Sequence, residues 1–450
     1  MGRKMKNEFE PTHLPLGLSG GLVLRRAAAA DGEALAVFSS RMHSDDGPDR
    51  PDQGVYYLLK EIADGKNPAL TLGDFTVVEE IASGRIVSCM CLISQTWSYA
   101  GIPFKVGRPE LVATEPDYRN RGLVRRQFDV IHQWSRERGE IVQGITGIPV
   151  YYRQFGYEMA LDLDGSRTLF EPHLPRMKDG ELEKFTLRAA EERDLPFLMD
   201  LYNTNLAGSM ITCVRDDTTW KFELSEREPQ SCDHCNIYIV QDAAGKPAGW
   251  VVTFAQAGKG KLIVRQFDLL PAFDRYLAAR AVSNHLWQIG KSEAEKAGNR
   301  FAELQFSLGR SHLVYDLLGD ALLRPRAPYA WYMRVTDLPA FLNLVRPVLE
   351  TRFRASAYAG FNGSIKLMPA YQGLEMTFES GKILPISELP ALNWGDADAL
   401  FPGQIFLQLL FGFRDLNELM HAFVDLEVKE PARHLLSALF PVQSSNIWMI

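Results

Sequence analysis

Apolar positions change their period along the chain, and the changes mark elements. Alternation in Leu22-Val23-Leu24-Arg25-Arg26-Ala27 predicts a strand, and Asp31-Gly32-Glu33 opens a stretch with helical apolar spacing. Phe75 to Ile81 reads as a strand, Ser83-Gly84 as a turn, and Arg85 to Ser94 as its hairpin partner. Glu110 to Thr114 predicts a further strand, stopped at Glu115-Pro116 because proline cannot donate to a ladder. A helix follows from about Leu123 to Arg138. Its apolar face carries Val124, Phe128 and Ile131 with Val130 and Trp134 beside them, and Gly139 closes it. Ile141 to Ile145 is a return strand, and Tyr151 to Tyr157 opens a second turn.

The Pro-, Gly- and charge-rich stretch Glu171 to Lys184 reads as a linker. A similar order then restarts. Phe185 to Ala190, Asn236 to Val240, Gly249 to Phe254 and Leu262 to Leu269 are predicted strands, and Glu191 to Leu201 and Ala278 to Ala297 are helices. No Arg-rich glycine turn follows Leu270-Pro271, so this copy lacks a phosphate motif. In the last segment a helix runs from Asp337 through Leu349, with strands at Ser364 to Met368, Gly373 to Glu379 and Lys382 to Ile386. Helices are predicted over Asp398 to Leu410, Leu416 to Phe423 and Pro431 to Leu439.

A length of 450 residues implies two or three domains, and 46% hydrophobic with 23% charged residues is a globular balance. The net charge of −7 argues against a nucleic-acid-binding surface over the whole molecule. The charged stretch Met1 to Pro11 is not a signal peptide, and no apolar run has membrane-spanning length, so a cytoplasmic location with no membrane partner is expected. Five cysteines, among them Cys232 and Cys235 around His234, form no disulfide framework. They also lack the further ligands a structural zinc site needs, so free thiols and no metal are expected.

The strongest chemical signal is Leu111-Val112-Ala113-Thr114-Glu115-Pro116-Asp117-Tyr118-Arg119-Asn120-Arg121-Gly122-Leu123-Val124. A strand ends there and a tight turn delivers the chain into a helix, whose first amides have no internal partners and face outward with the positive end of the dipole. Such a turn suits a pyrophosphate. Gly122 lets backbone approach the anion, and Arg119, Arg121, Arg125 and Arg126 add charge. The second signal is Tyr151-Tyr152-Arg153-Gln154-Phe155-Gly156-Tyr157, one strand later at the same end of the sheet. Aromatic residues around a glycine usually mean packing, and it is the spacing after the first motif that points to function.

These residues resemble the GNAT superfamily of N-acetyltransferases. Arg119 and Gly122 fit its phosphate motif, and Tyr152, Gly156 and Tyr157 fit its tyrosine-glycine-aromatic motif, while Val124 departs from the usual Gly or Ala. The large aliphatics after Gly122, together with Leu409 to Leu416 and Leu435 to Pro441, resemble the "enhanced intracellular survival" acetyltransferase family. That resemblance covers nearly the whole chain. It implies an α/β (α+β) fold class, with two tandem GNAT-like mixed-sheet domains followed by a sterol-carrier-like α+β domain. The corresponding boundaries are 22–170 for the acetyl-CoA domain, 185–335 for the second copy and 337–450 for the C-terminal domain. It implies acetyl-CoA as co-substrate, with backbone groups of Leu111, Val112 and Ala113 on pantetheine and Arg119, Asn120, Arg121, Gly122, Leu123 and Val124 on the pyrophosphate. Gly147 and Ile148 would line the acetyl end, Tyr152 would be the general acid, and the terminal carboxylate of Ile450 the base. A small-molecule amine substrate and a homo-oligomer such as a hexamer follow from the same resemblance.

The chemistry suits these groups unequally. An alkyl ammonium near pKa 10.4 must lose a proton, and a leaving thiolate near 8.5 can take one from a tyrosine near 10. A terminal carboxyl near 3.5 needs burial to act as base. The apolar Ile447-Trp448-Met449-Ile450 fits either burial or packing on the surface, and both readings stand. His132 is expected at a surface or boundary. Asp31, Glu33 and Asp52 fit helix capping as well as an amine pocket. The competing reading is a non-catalytic protein that holds an apolar ligand in its C-terminal domain.

Overall fold

The computed structural model describes residues 13–206, 208–256, 259–370, 372–390 and 392–447. Among these, dense internal contacts define two units: 13–95, 105–145 and 228–233 in the first, and 96–104, 146–227 and 234–447 in the second. Within them the chain is a mixed α/β protein with three sheets, as the fold class predicted.

In the first unit, β1 (Leu16–Leu18), β2 (Leu22–Arg26), β3 (Phe75–Glu80), β4 (Arg85–Tyr99), β5 (Ile102–Thr114) and β6 (Val142–Ile145) lie in sequence order. The tip of the β4–β5 hairpin, 96–104, belongs to the second unit. Helices α1 (Gly32–Met42) and α2 (Gln53–Ala63) bury Leu35, Phe38, Val55, Leu59 and Ile62 against Phe75, Val77 and Cys91. The amphipathic helix α3 (Leu123–Glu137) buries Leu123, Phe128, Val130, Ile131 and Trp134. It is tied to the sheet by one buried amide: Thr76 Oγ1 donates to Gln127 Oε1 at 3.1 Å, and Gln127 Nε2 donates to Ser88 Oγ at 2.7 Å. Since only satisfied polar groups are cheap to bury, this network fixes the helix in register with β3 and β4.

In the second unit, β7 (Glu158–Leu163) and β8 (Ser166–Leu169) follow the Tyr151–Phe155 turn. The elements after them are β9 (Phe185–Ala189), α4 (Leu195–Leu206), β10 (Ile211–Cys213), α5 (Asp217–Lys221), β11 (Asn236–Asp242), β12 (Pro247–Gln256), β13 (Lys261–Leu269) and α6 (Arg275–Lys296). Next come β14 (Glu303–Phe306), α7 (Leu313–Leu318), β15 (Leu322–Arg326) and β16 (Tyr329–Val335). One sheet runs β15-β8-β14-β13-β12-β11-β9, so β8, from ahead of the predicted linker, sits between two later strands. Conversely β16 pairs antiparallel with the earlier β7. The linker stretch is not loose, since Leu174, Met177 and Leu182 pack on the core formed by Val251, Leu262, Phe267 and Trp287.

The third sheet runs β19-β18-β17-β21-β22, from β17 (Gly363–Pro369), β18 (Gly373–Glu379), β19 (Lys382–Ile383), β21 (Ala399–Phe401) and β22 (Glu427–Val428), with β20 (Ser387–Leu389) also paired to β18. Helices α8 (Leu338–Ala355), α9 (Phe406–Leu410), α10 (Leu416–Ala422) and α11 (Ala432–Leu439) complete this part. The predicted helix over Asp398 to Leu410 is corrected: 399–401 form β21, and a helix starts only after Pro402-Gly403. Gly403 has φ +48, outside the right-handed helical region. None of the helices among the described residues is long and apolar enough to cross a membrane.

Candidate active site

In the first unit β5 pairs in parallel with β6 only at Val106 and Gly107, then runs on to Thr114. Leu111, Val112 and Ala113 therefore lie where β5 has left its neighbour, with backbone groups not consumed by that ladder. At the same place the backbone leaves the extended conformation: Leu111 has φ +52, a left-handed conformation that costs a branched side chain energy. Thiols compensate. Cys89 Sγ donates to Leu111 O at 3.3 Å and Cys91 Sγ to Glu110 O at 3.4 Å. Burial pushes the Cys89 thiol up to about 12 and Cys91 also upward, so both keep the proton they donate. All five cysteines are unbridged.

The turn after β5 ends at Gly122, the N-cap of α3, with φ +74 and no side-chain cap. A Cβ there would meet no protein atom within 4 Å, so the backbone angle alone demands glycine. Asn120 also has φ +60. Hence the N-cap residue sets no side-chain acceptor over the first turn of α3, a feature that suits a helix start to an anion. Arg119 Nε donates to Thr114 O at 3.2 Å, and Arg121 donates to Asp117 O at 2.8 Å while its guanidinium lies 4.7 Å over the Tyr118 ring. Both arginines are exposed. Helix α6 in the second unit starts differently. Its N-cap is Asp274, whose carboxylate accepts Leu277 N at 3.0 Å. A carboxylate in that position repels a phosphate, so the start of α6 does not offer the same anion site.

The second turn lies in the second unit. Tyr151–Phe155 is a single 3-10 stretch between left-handed residues, Val150 at φ +68 and Gly156 at φ +85. Tyr152 is buried, with its ring edge-on to Tyr151 at 5.3 Å and to Tyr332 at 5.4 Å. A Cβ on Gly147 would sit 3.7 Å from the Tyr152 hydroxyl, so glycine leaves the space in front of that group open. Tyr329 and Tyr332 hydroxyls donate to the carbonyls of Gly147 and Ile148 at 3.3 and 3.4 Å. Burial pushes Tyr332 up to about 12. Arg153 is held by Glu158 at 2.7 Å.

The predicted residues thus fall into two sets. Leu111 to Ala113 and Arg119 to Val124 lie in the first unit; Gly147, Ile148 and Tyr152 lie in the second; Ile450 lies outside the described residues. The lesser candidates resolve into structural roles. Asp31 pairs with Arg25 at 2.7 Å, and Asp52 caps α2 by accepting Val55 N. Glu33 accepts from Tyr56 and Lys60, and His132 is buried beside Phe128 instead of at a surface. One carboxylate escaped the sequence reading. Glu110, next to the left-handed Leu111, is held by the buried Arg108 at 2.7 Å, and burial raises its pKa against that pull. Its only signal in the sequence was its place beside Leu111.

Residues 29–160 match the family model described as an acetyltransferase (GNAT) domain. No curated protein matches the chain. Among solved structures, a GCN5-related N-acetyltransferase from Anabaena variabilis is similar at TM-score 0.63 and 14% identity, covering 95% of this chain and 99% of that one. A probable N-acyltransferase from Enterococcus faecalis gives TM-score 0.66 at 14% identity with the same coverage. Eis1 from Mycobacterium abscessus gives 0.58 at 16%, covering 94% and 98%. At these identities the likeness is one of fold. The chain carries a GNAT acetyltransferase domain. That match makes the chain an acetyltransferase, and domains of this type use acetyl-CoA.

Proposed function

We propose that the chain transfers acetyl from acetyl-CoA directly to a primary amine of a polyamine or aminoglycoside-like molecule, or of lysine. The observation that carries this reading is the start of α3. A glycine in the left-handed conformation stands at the N-cap and brings no side chain of its own over the helix start, directly after a strand that has parted from its neighbour. Leu111, Val112 and Ala113 would hold pantetheine by backbone groups, and Arg119 through Val124 the pyrophosphate. Gly147 and Ile148 would line the acetyl end. The co-substrate supplies an activated thioester. The amine forms the new C–N bond as the C–S bond breaks, Tyr152 protonates the leaving sulfur, and the carboxylate of Ile450 takes the proton from the amine. Glu110 is the nearest alternative acceptor in sequence to the proposed pantetheine strand, and its raised pKa suits that role.

The wider organisation proposed is that of the enhanced intracellular survival family. An acetyl-CoA domain at 22–170 is followed by a second GNAT-like domain at 185–335 and a sterol-carrier-like domain at 337–450, assembled as a homo-oligomer in the cytoplasm. The whole-chain likeness in fold to Eis1 supports the order of folds in this reading. The deciding experiment is thiol release from acetyl-CoA over a panel of polyamines and aminoglycosides. Amine-dependent release supports the reading, and its absence with every amine overturns it.

A further inference from the structure

The second sheet opens in the same manner as the first. β13 pairs in parallel with β14 from Lys261 to Val264, and Ser307 N still reaches Val264 O at 2.8 Å. From there β13 continues to Leu269 without that partner. A register shift opposite Val252 and Thr253 leaves Arg265 unmatched on β12. The resulting opening is a cavity of about 250 Å³. Arg265, Gln266 and Asp268 form one wall, the segment from Ser307 to His312 another, and the tail at 444–447 covers it. That tail is fixed, because Asn446 N donates to Ile211 O at 2.9 Å and Gln266 Nε2 to Asn446 Oδ1 at 3.0 Å.

This is not a second acetyl-CoA site, since Asp274 occupies the helix start that a pyrophosphate would need. Its charges point elsewhere. Asp162 is neutralised by Arg310 at 2.8 Å, and Asp164 is exposed at the rim. His312 is driven down to about 4 by burial and is neutral at pH 7. Arg265 lies 5.0 Å over the Phe254 ring. Asp268 is the exception. Its carboxylate accepts Trp250 Nε1 at 2.7 Å and a hydrogen bond from Asn205, while no cation among the described residues pairs with it. Burial raises it to about 6, so at neutral pH it is a desolvated anion facing a polar cavity.

We propose that this cleft is a second ligand site, which takes a small hydroxylated primary amine with its ammonium on Asp268. The cavity has room for a molecule of monosaccharide size, and Gln266, Ser307 and Asn446 offer neutral hydrogen-bonding partners for hydroxyl groups. The ammonium supplies the charge partner that Asp268 lacks, and it holds that carboxyl ionised.

The test is calorimetric titration of the full chain with D-glucamine and with sorbitol, its uncharged counterpart, without acetyl-CoA. Asp268→Asn and Ser307→Phe separate this cleft from the acceptor site of the acetyl-transfer reading, because both residues line the cleft and neither belongs to that site. The expected result is saturable glucamine binding that strengthens as pH rises from 5 to 7. Sorbitol should bind at least about tenfold more weakly, the size of one charge-assisted hydrogen bond. Asp268→Asn should lose about the same factor while acetyl-CoA affinity is unchanged, and the indole N–H resonance of Trp250 should move on titration of the parent only. Ser307→Phe, which fills the cavity, should abolish binding if Asp268→Asn fails to fold. Equal affinity for glucamine and sorbitol, unchanged binding in either variant, or no saturable binding to the parent would overturn the proposal.

Discussion

Replacing Gly122 by Asp tests whether the start of α3 is a phosphate site. Two structural terms nearly cancel. A side chain at φ +74 costs about 1–2 kcal/mol, while a carboxylate at an N-cap returns about 1 kcal/mol by accepting first-turn amides, as Asp274 does on α6. The Cβ itself meets nothing, so no clash adds to the balance. Thermal stability should therefore change little. Binding should not be spared, because the new charge occupies the place proposed for the pyrophosphate. Two unit charges 4 Å apart repel by about 4 kcal/mol near a protein surface. Even after screening, about 3 kcal/mol remains, a loss of affinity of at least about a hundredfold. Gly122→Ala has the strain without the charge or the cap, so it should melt at lower temperature while binding acetyl-CoA within about threefold of the parent. Calorimetry with acetyl-CoA, paired with a melting curve for each variant, reads both quantities. A Gly122→Asp variant that melts normally and binds acetyl-CoA within about threefold of the parent would refute the reasoning.

Other outcomes follow from the same geometry. Tyr152→Phe should lower kcat by about a hundredfold or more while leaving acetyl-CoA affinity alone, as expected for a lost general acid; unchanged turnover would remove Tyr152 from that role. Deleting Ile450, or extending the chain beyond it, should slow turnover most at low pH, where the amine is hardest to deprotonate, and retained activity would move the base to another group such as Glu110. Asp268→Asn should stabilise the protein at pH 7.5. A carboxyl whose folded pKa is raised from 3.8 to about 6 loses stability as pH climbs through that interval, by about 3 kcal/mol at most, so the variant's advantage in melting temperature should vanish by about pH 4.

The local parts of the site were legible because local chemistry writes them. The end of β5 at Glu115-Pro116, the glycine turn and the apolar stripe of α3 each follow from a few neighbouring residues, and the elements stand where those signals put them. What escaped depends on distant partners. No period in Ser166–Leu169 says that it joins Glu303–Phe306, or that Tyr329–Val335 joins Glu158–Leu163. The left-handed backbone at Leu111 meets Cys89 and Cys91 from the adjoining strand, and apolar composition alone does not reveal it. Ala399-Leu400-Phe401 was too short to separate strand from helix by period, and its pairing with Leu367–Pro369 decided the matter. Asp268 read as one more strand residue, since its chemistry comes from Trp250 and burial.

Everything proposed for the reaction depends on one acetyl-CoA site per chain, at Gly122, despite two similar sheets. Calorimetric titration of the intact protein with acetyl-CoA measures this directly. The expected result is saturable binding of one molecule per chain, abolished by Gly122→Asp. Two molecules per chain, or no saturable binding, would contradict it.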